Sequence, residues 1–281
     1  MSDLHSINEA INRRAGRSLI SSILVGIGLL AIIFSTMAYI PFLFAIFVLI
    51  AVLLALREIS IAFKERSINI SFPQHALLTI GVIGSTWFAG LPGLSVSIVL
   101  SVIAVLFLAL LKGTSGFIAN ATGAIFALIY PGFLAGFIFL LARSGDGFEF
   151  IATLVILVGC NDTFAYLTGV LIGKHPLAPK ISPKKSWEGF VGGLIFAAIG
   201  TALAFHYLLD KDPIIGAIAA ICGVVAATIG DLVESAIKRD LALKDMGKLL
   251  PGHGGMLDRL DSVLFVAPIL WCIIELLKRF G

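Results

Sequence analysis

The chain has 281 residues, of which 59% are apolar and only 13% charged, and its formal net charge is +3. This composition excludes an ordinary soluble domain. Apolar runs of 18 or more residues recur, and each is long enough to cross a hydrocarbon core of about 30 Å as a helix. Because a segment in lipid must satisfy its own backbone hydrogen bonds, and the hydrophobicity is continuous rather than alternating, the sequence predicts an all-α polytopic membrane protein.

The apolar runs predict about nine transmembrane helices. They lie at 18–38, 40–56, 76–91, 94–111, 116–142, 149–172, 189–209, 214–230 and 262–278. Tyr130-Pro131-Gly132 is expected to kink the fifth helix, because proline lacks a backbone donor and clashes with the preceding turn; two short re-entrant helices are the alternative. The ninth helix can also begin earlier, between Met256 and Leu264.

Polar residues divide the chain into two regions. About five spans fall in residues 1–145, which carry almost no polar residues within the spans. Residues 146–281 hold nearly all the acidic residues that are candidates for a functional role. With a cytoplasmic N-terminus, 16 of the 20 Lys and Arg residues lie on the inner side. This bias predicts that loops 173–188 and 231–261 are cytoplasmic, although each loop charge alone is more often a topology determinant than a ligand. We expect the protein to lie in a bacterial cytoplasmic membrane, with its active site facing the cytoplasm.

The segment from Gly230 to Asp261 concentrates six carboxylates and five Lys or Arg residues between two apolar runs. Asp231, Glu234, Ser235 and Lys238 are three or four residues apart, so a helix extending beyond the eighth span would present them on one face. The alternative is a helix-end ion pair between Glu234 and Lys238.

A second acidic edge lies at the start of the ninth span, where Asp258 and Asp261 repeat the three-residue spacing. If the two edges face each other, they make an oxygen-rich site for a hard cation such as Mg²⁺. Here too an ion pair is the alternative, between Asp258 and either Arg259 or Lys248.

A glycine-rich loop connects the two edges. Its residues 250–255 include His253, Gly254 and Gly255, and basic residues precede it. Glycines allow successive backbone N–H groups to converge on an anion, which indicates a phosphate cradle. An ordinary turn between two helices is the alternative.

A further polar cluster lies in loop 173–188. Ser182, Lys184, Lys185 and Ser186 could hold a phosphate there. Alternatively, the lysines extend to anionic lipid headgroups.

Asn161 and Asp162 lie inside the sixth apolar run. An ionisable group in the membrane is costly unless it faces a polar cavity or a partner, so Asp162 is a functional candidate. A structural hydrogen bond through Thr163 or Tyr166 is the alternative.

These motifs together resemble the signature of the phosphatidate cytidylyltransferase family, also called CDP-diacylglycerol synthases. The resemblance extends over roughly residues 155–265. It is carried by 161–166, Gly173-Lys174, 181–189, Ser235-Ala236-Ile237-Lys238-Arg239-Asp240, Lys244-Asp245 and 250–261. The N-terminal spans are similar to the family only in hydrophobicity and placement.

The resemblance implies an integral membrane nucleotidyltransferase that condenses CTP with phosphatidic acid to give CDP-diacylglycerol and pyrophosphate. It implies Mg²⁺ as cofactor, with K⁺ as a candidate second cation, and no nucleic-acid partner; a homodimer stays open. Asp231 and Asp258 match the family's metal-binding acids, with Asp261 beside them. The expected catalytic residues are these three with Lys238 and Arg239. The expected substrate-binding residues are Asn161, Asp162, Ser182, Lys184, Lys185, Ser186, Ser235, Lys244, Asp245, Lys248, His253, Gly254 and Gly255.

Three other classes of membrane protein compete with this interpretation. One of them, a structural or receptor-like protein, would leave the segment of lysines, acids and glycines unexplained. A CDP-alcohol phosphotransferase, another lipid phosphotransferase, would carry an Asp-Gly followed by Ala-Arg pattern that is missing from this sequence. A transporter would explain many helices and Asp162, but it predicts polar residues through the middle of several spans, whereas here they concentrate at the predicted cytoplasmic ends.

Overall fold

A computed structural model of the chain describes residues 19–247 and 254–280, the side chains from residue 26 to residue 279. Over these residues the protein is almost entirely helical, as predicted. The helices are α1 (Leu19–Tyr39), α2 (Pro41–Lys64), α3 (Phe72–Leu110), α4 (Phe117–Ala127), α5 (Leu134–Ala142), α6 (Gly147–Ile172), α7 (Trp187–Tyr207), α8 (Pro213–Asp240) and α9 (Leu257–Phe280). A π-helical segment, Leu128–Phe133, joins α4 to α5.

Seven helical segments of the described chain are long and apolar enough to cross a membrane. The predicted count of nine is not confirmed. Predicted spans 76–91 and 94–111 lie in the single element α3, which is interrupted where Gly90 adopts φ 68° and Pro92 follows. The first predicted span begins at residue 18, outside the described residues. Within α1, the apolar stretch Gly26–Tyr39 is shorter than the 18 residues required of a candidate span.

The predicted kink in the fifth span takes the form of the π-helical segment, which contains Pro131. Because proline has no N–H to donate, the normal ladder of hydrogen bonds cannot continue through it, and a wider turn accommodates the gap. The ring of Tyr130 packs against Phe265 of α9, with 5.8 Å between ring centroids. This kink therefore contacts the helix that carries Asp258 and Asp261.

Loop 173–188 contains an antiparallel hairpin, which was not predicted from the sequence. Strand β1 (Pro176–Ala178) pairs with β2 (Ser182–Ser186). The strands are short and polar, so they lack the alternating hydrophobic pattern by which strands are recognised in a sequence.

Three of the predicted inner segments lie together at one end of the helical bundle. The Arg66 guanidinium, just beyond α2, donates to the Asp240 backbone carbonyl at the end of α8. Arg239 Nε in turn donates to the Ile181 carbonyl of the hairpin, at 3.3 Å. The ends of α2, α6 and α8 therefore share one face of the molecule.

Over the described residues, the core consists of one large cluster of apolar side chains drawn from both regions of the chain, with two smaller clusters around α3. Its fully buried members include Leu56, Phe139, Leu157, Phe205 and Leu264. Phe88, Leu171 and many other large apolar side chains are exposed on the outside. Such continuous apolar surface is expected of helices that face lipid.

Candidate active site

Helix α8 continues without a break to Asp240, so the predicted face forms. Asp231 and Glu234 lie one turn apart on it, and Ser235 Oγ donates to Asp231 Oδ1 at 3.4 Å. Carboxylate oxygens of Asp231, Glu234 and Asp261 all lie within 4.8 Å of one another. The acidic edges of α8 and α9 therefore do face each other.

The close approach of α8 and α9 depends on a glycine next to the acids. A Cβ atom on Gly230 would lie 2.4 Å from the Asp261 carbonyl oxygen and 2.9 Å from the Phe265 ring. Helices in a membrane associate through close packing of small residues, since lipid offers no hydrophobic drive between them. Gly230 thus allows Asp261 to reach Asp231.

We expect Gly230→Ala to separate α8 from α9 and to lower stability by about 1–3 kcal/mol, the usual cost of overpacking. Thermal unfolding of the purified protein in detergent measures this loss. The matched control is Gly159→Ala in α6, where a new Cβ meets nothing within 4 Å. Equal unfolding temperatures for the two variants would contradict a close-packing role for Gly230.

Lys238 joins both acidic edges. Its ammonium pairs with Glu234 one turn earlier and, at 2.8 Å, with Oδ1 of Asp258 on α9. The Glu234–Lys238 pair is the one named in the alternative interpretation of the sequence. It does not exclude a metal site, because Glu234 Oε2 accepts from Lys238 while Oε1 is buried without a hydrogen-bond partner among the described residues.

Asp258 is held by the loop as well as by Lys238. Its Oδ2 accepts hydrogen bonds from the backbone N–H of Gly255 at 2.7 Å and of Met246 at 3.2 Å. Gly254 adopts φ 81°, a left-handed conformation that favours glycine. Within the described part of the glycine loop, the Gly255 N–H therefore binds the Asp258 carboxylate, and the phosphate cradle stays a prediction.

The hairpin contributes one lysine to the acidic cluster. Lys185 Nζ pairs with Asp231 Oδ2, whereas Lys184, its neighbour on the strand, is exposed. Alternate residues of a strand point to opposite faces, which separates the two lysines. Ser186 Oγ accepts the Gly189 N–H at 3.1 Å and so caps α7, and Ser182 begins β2.

Asn161 and Asp162 lie on α6, beside the α7 helix. The Asn161 side-chain amide donates to Asp162 Oδ1 at 3.0 Å, and Gly193 of α7 packs against Asn161. Asp162 lies within electrostatic range of Asp231 and Lys185. The hydrogen-bond partner of Asp162 is therefore its chain neighbour Asn161.

Other predicted site residues lie around this centre or outside the described chain. Arg239 Nε donates to the Ile181 carbonyl of the hairpin. Lys244 and Asp245 lie in the segment that follows α8, and Lys244 is exposed. The predictions for Lys248 and His253 fall outside the described residues, as does the 250–253 part of the glycine loop.

Glu234 was not among the predicted site residues, although the sequence did place it on the correct helical face. Its side chain is only 1% exposed. A buried carboxylate oxygen is costly unless it is paired or binds a cation. Lys238 pairs with Glu234 Oε2 and leaves Oε1 without a hydrogen-bond partner among the described residues. The residues present thus fit a divalent ion, for which Asp231, Glu234 and Asp261 supply the oxygen ligands that such ions prefer.

Comparison with known proteins identifies the family. The chain matches the cytidylyltransferase family model over residues 20–277. It is 35% identical over 279 residues to the phosphatidate cytidylyltransferase of Mycobacterium bovis, with 94% of this chain and 90% of the relative covered. The protein of the same name from Mycobacterium leprae is 36% identical over 282 residues, with the same coverage. That from Staphylococcus aureus is 37% identical over 205 residues, covering 72% of this chain and 74% of the relative.

The likeness extends beyond residues 155–265 and includes the N-terminal spans, which corrects the narrower range expected from the motifs. Cytidylyltransferases generally depend on divalent cations, in agreement with the acidic cluster. The chain therefore belongs to the phosphatidate cytidylyltransferase family, and it is an integral membrane nucleotidyltransferase.

Proposed function

We propose that the chain transfers the cytidylyl group of CTP to phosphatidic acid, releasing pyrophosphate and forming CDP-diacylglycerol. The observation that carries the proposal is the arrangement of three acids and two lysines at one end of an apolar helical bundle. The triphosphate of a nucleoside triphosphate needs cationic partners, while the acyl chains of a diacyl lipid need contact with the bilayer. Both requirements meet where α8 and α9 leave the apolar core.

In the reaction, a phosphate oxygen of phosphatidic acid forms a bond to the α-phosphorus of CTP, and the bond from that phosphorus to pyrophosphate breaks. The attacking oxygen is already anionic at neutral pH, so positioning matters more than deprotonation. Holding two reactants in line converts a bimolecular step into an effectively unimolecular one. No side chain is assigned as a general base.

We assign the cation site to Asp231, Glu234 and Asp261, and Mg²⁺ is the proposed ion. Bound there, it would offset negative charge on the triphosphate and on the leaving pyrophosphate. Asp258 was predicted as a ligand from the family resemblance, and that role stays a prediction. In the present arrangement its carboxylate orients Lys238 towards Glu234.

The lysines are proposed to bind phosphate. Lys185 approaches the cluster from the hairpin and Lys238 from α8, so a triphosphate between them would contact both. In the structure each ammonium is paired with at least one carboxylate, and this pairing holds the lysine side chain in position before substrate binds. Lys184 and Lys244 are exposed nearby and can contribute to the long-range attraction of an anionic nucleotide.

The proposed site faces the cytoplasm, which supplies CTP, and the acyl chains stay in the bilayer between helices. The shared position of the ends of α2, α6 and α8 supports a single face for the basic segments that follow these three helices. Cysteines placed at Lys184 and at Lys244 are expected to react with the same membrane-impermeant reagent from the cytoplasmic side.

The assay uses membranes containing the chain, CTP labelled in its α-phosphate, phosphatidic acid and Mg²⁺. We expect label to become chloroform-soluble only when phosphatidic acid is present, because the α-phosphate enters the lipid product. Chelation of divalent cations should stop the reaction, and added Mg²⁺ should restore it.

Two variants sharpen this assay. Asp258→Asn is expected to insert normally and to lose about 100-fold in turnover, since it removes the partner that orients Lys238. Asp146→Asn, which lies before α6 and makes no capping hydrogen bond with its side chain, is the control and should be fully active. Label that stays in the aqueous phase with the unmodified chain would refute the proposed function.

A further inference from the structure

Glu58 is a buried acid of α2, in the N-terminal region of the chain. It lies 8% exposed near the end of an apolar helix. Its carboxylate accepts two backbone hydrogen bonds from the start of α9, from Met256 N to Oε1 and from Leu257 N to Oε2, both at 2.9 Å. About 200 residues of sequence separate these partners, so the contact is made only in the folded chain.

The contact provides acceptors for backbone N–H groups at the start of α9 that would otherwise have no hydrogen-bond partner. The first N–H groups of a helix have no partner within it, and their partial positive charge favours an anion. At α9 the N–H of Gly255 binds Asp258, while those of Met256 and Leu257 bind Glu58. Three consecutive donors are thus taken by two carboxylates, one from α9 itself and one from α2.

Gly247 and Gly255 both lie close to the Glu58 carboxylate. A Cβ on Gly247 would lie 2.2 Å from Glu58 Oε1, and one on Gly255 would lie 2.5 Å from Oε2. Any side chain at either position would displace Glu58 or the loop. Glu58 therefore lies against Gly247, which precedes the glycine loop, against Gly255 at the end of that loop, and against the start of α9.

We infer that Glu58 is a positioning residue, which fixes the start of α9 and thereby holds Asp258 and Asp261 against the acids of α8. Asp258 lies one residue beyond Leu257, so a shift of the helix start moves it directly. Asp261 follows one turn later, in the same helix. The inference rests on the proposed function for its catalytic consequence, but the contact itself can be tested separately.

The test compares Glu58→Gln with Glu65→Gln. The first variant removes the charge that binds two N–H donors, and its amide can accept from only one side. The second removes the same charge from an exposed position just beyond α2. Both are measured for the Mg²⁺ concentration that gives half-maximal activity, and for the rate of tryptic cleavage after the exposed Lys244 in detergent.

We expect Glu58→Gln to raise the half-saturating Mg²⁺ concentration about tenfold, as for other residues that orient metal ligands. Cleavage after Lys244 should accelerate about tenfold, because the loop loses charge-assisted hydrogen bonds. Glu65→Gln should leave both values unchanged. A merely structural role would reduce the amount of active protein without changing the half-saturating concentration.

Unchanged values of both quantities in Glu58→Gln would overturn the inference, as would activity above that of the unmodified chain, which would indicate that Glu58 blocks the site. If Glu58→Gln does not accumulate in membranes, Glu58→Asp is measured in the same two assays, and normal values there would also overturn it. If the unmodified chain lacks activity with CTP and phosphatidic acid, the proposed function fails, while the cleavage assay still decides whether Glu58 holds the loop.

Discussion

Asp231→Asn is expected to lower turnover about a thousandfold while the protein still inserts and folds. Asp231 lies in the acidic cluster with Glu234 and Asp261, and it also binds the Lys185 ammonium. Stabilisation of transition-state charge by a bound cation amounts to several kcal/mol, and each 1.36 kcal/mol is a factor of ten, so a loss of about a thousandfold is expected. The measurement is incorporation of labelled CTP into lipid at saturating Mg²⁺.

The stability of this variant should change little. The pair of Asp231 with Lys185 is about one-third exposed, and such pairs contribute at most about 1 kcal/mol. Asp240→Asn, at the exposed end of the same helix, is the control and should retain full activity. Activity within tenfold of the unmodified chain in Asp231→Asn would remove Asp231 from the proposed cation site.

Lys238→Met should reduce both stability and activity. Lys238 is 18% exposed and compensates two carboxylates, Glu234 at 1% and Asp258 at 10% exposure. Removing one member of a buried ion pair leaves an uncompensated charge and typically costs about 3–5 kcal/mol. We therefore expect a large fall in the temperature of thermal unfolding in detergent, together with loss of lipid product.

A second substitution tests this explanation. The double variant Lys238→Met with Glu234→Gln removes one of the stranded charges, so it should regain part of the stability but none of the activity. Lys64→Met, at the exposed end of α2, should alter the free energy of unfolding by no more than about 0.5 kcal/mol. An unfolding temperature equal to that of the unmodified chain in Lys238→Met would show that the three charges are not mutually dependent.

Local sequence patterns predicted those parts of the site that lie within one helix. The spacing of Asp231, Ser235 and Lys238 placed them on one helical face, because side chains three and four residues apart are neighbours on a helix. The earlier start of the ninth helix, given as an alternative, is confirmed: α9 begins at Leu257 and carries Asp258 in its first turn.

Contacts between distant segments could not be predicted in the same way. The sequence offered both Lys184 and Lys185 as phosphate ligands, but only the strand geometry of β2 directs Lys185 to Asp231. Glu58 carried no local signal, since its partners lie about 200 residues further along the chain. The polar hairpin was missed because it buries no alternating apolar face.

By itself, the sequence determined that this protein is a helical membrane enzyme, which family it belongs to, and which short segments carry its charged chemistry. A continuously apolar segment in lipid must satisfy its own backbone hydrogen bonds and therefore forms a helix. Helical periodicity then places residues three and four apart on the same face of that segment. Only the tertiary structure decided that Glu234 joins Asp231 and Asp261, that Lys238 bridges α8 to α9, and that α2 supplies Glu58. Those contacts depend on how closely helices approach and how they rotate about their axes, which small residues such as Gly230 control and which no one-dimensional spacing specifies.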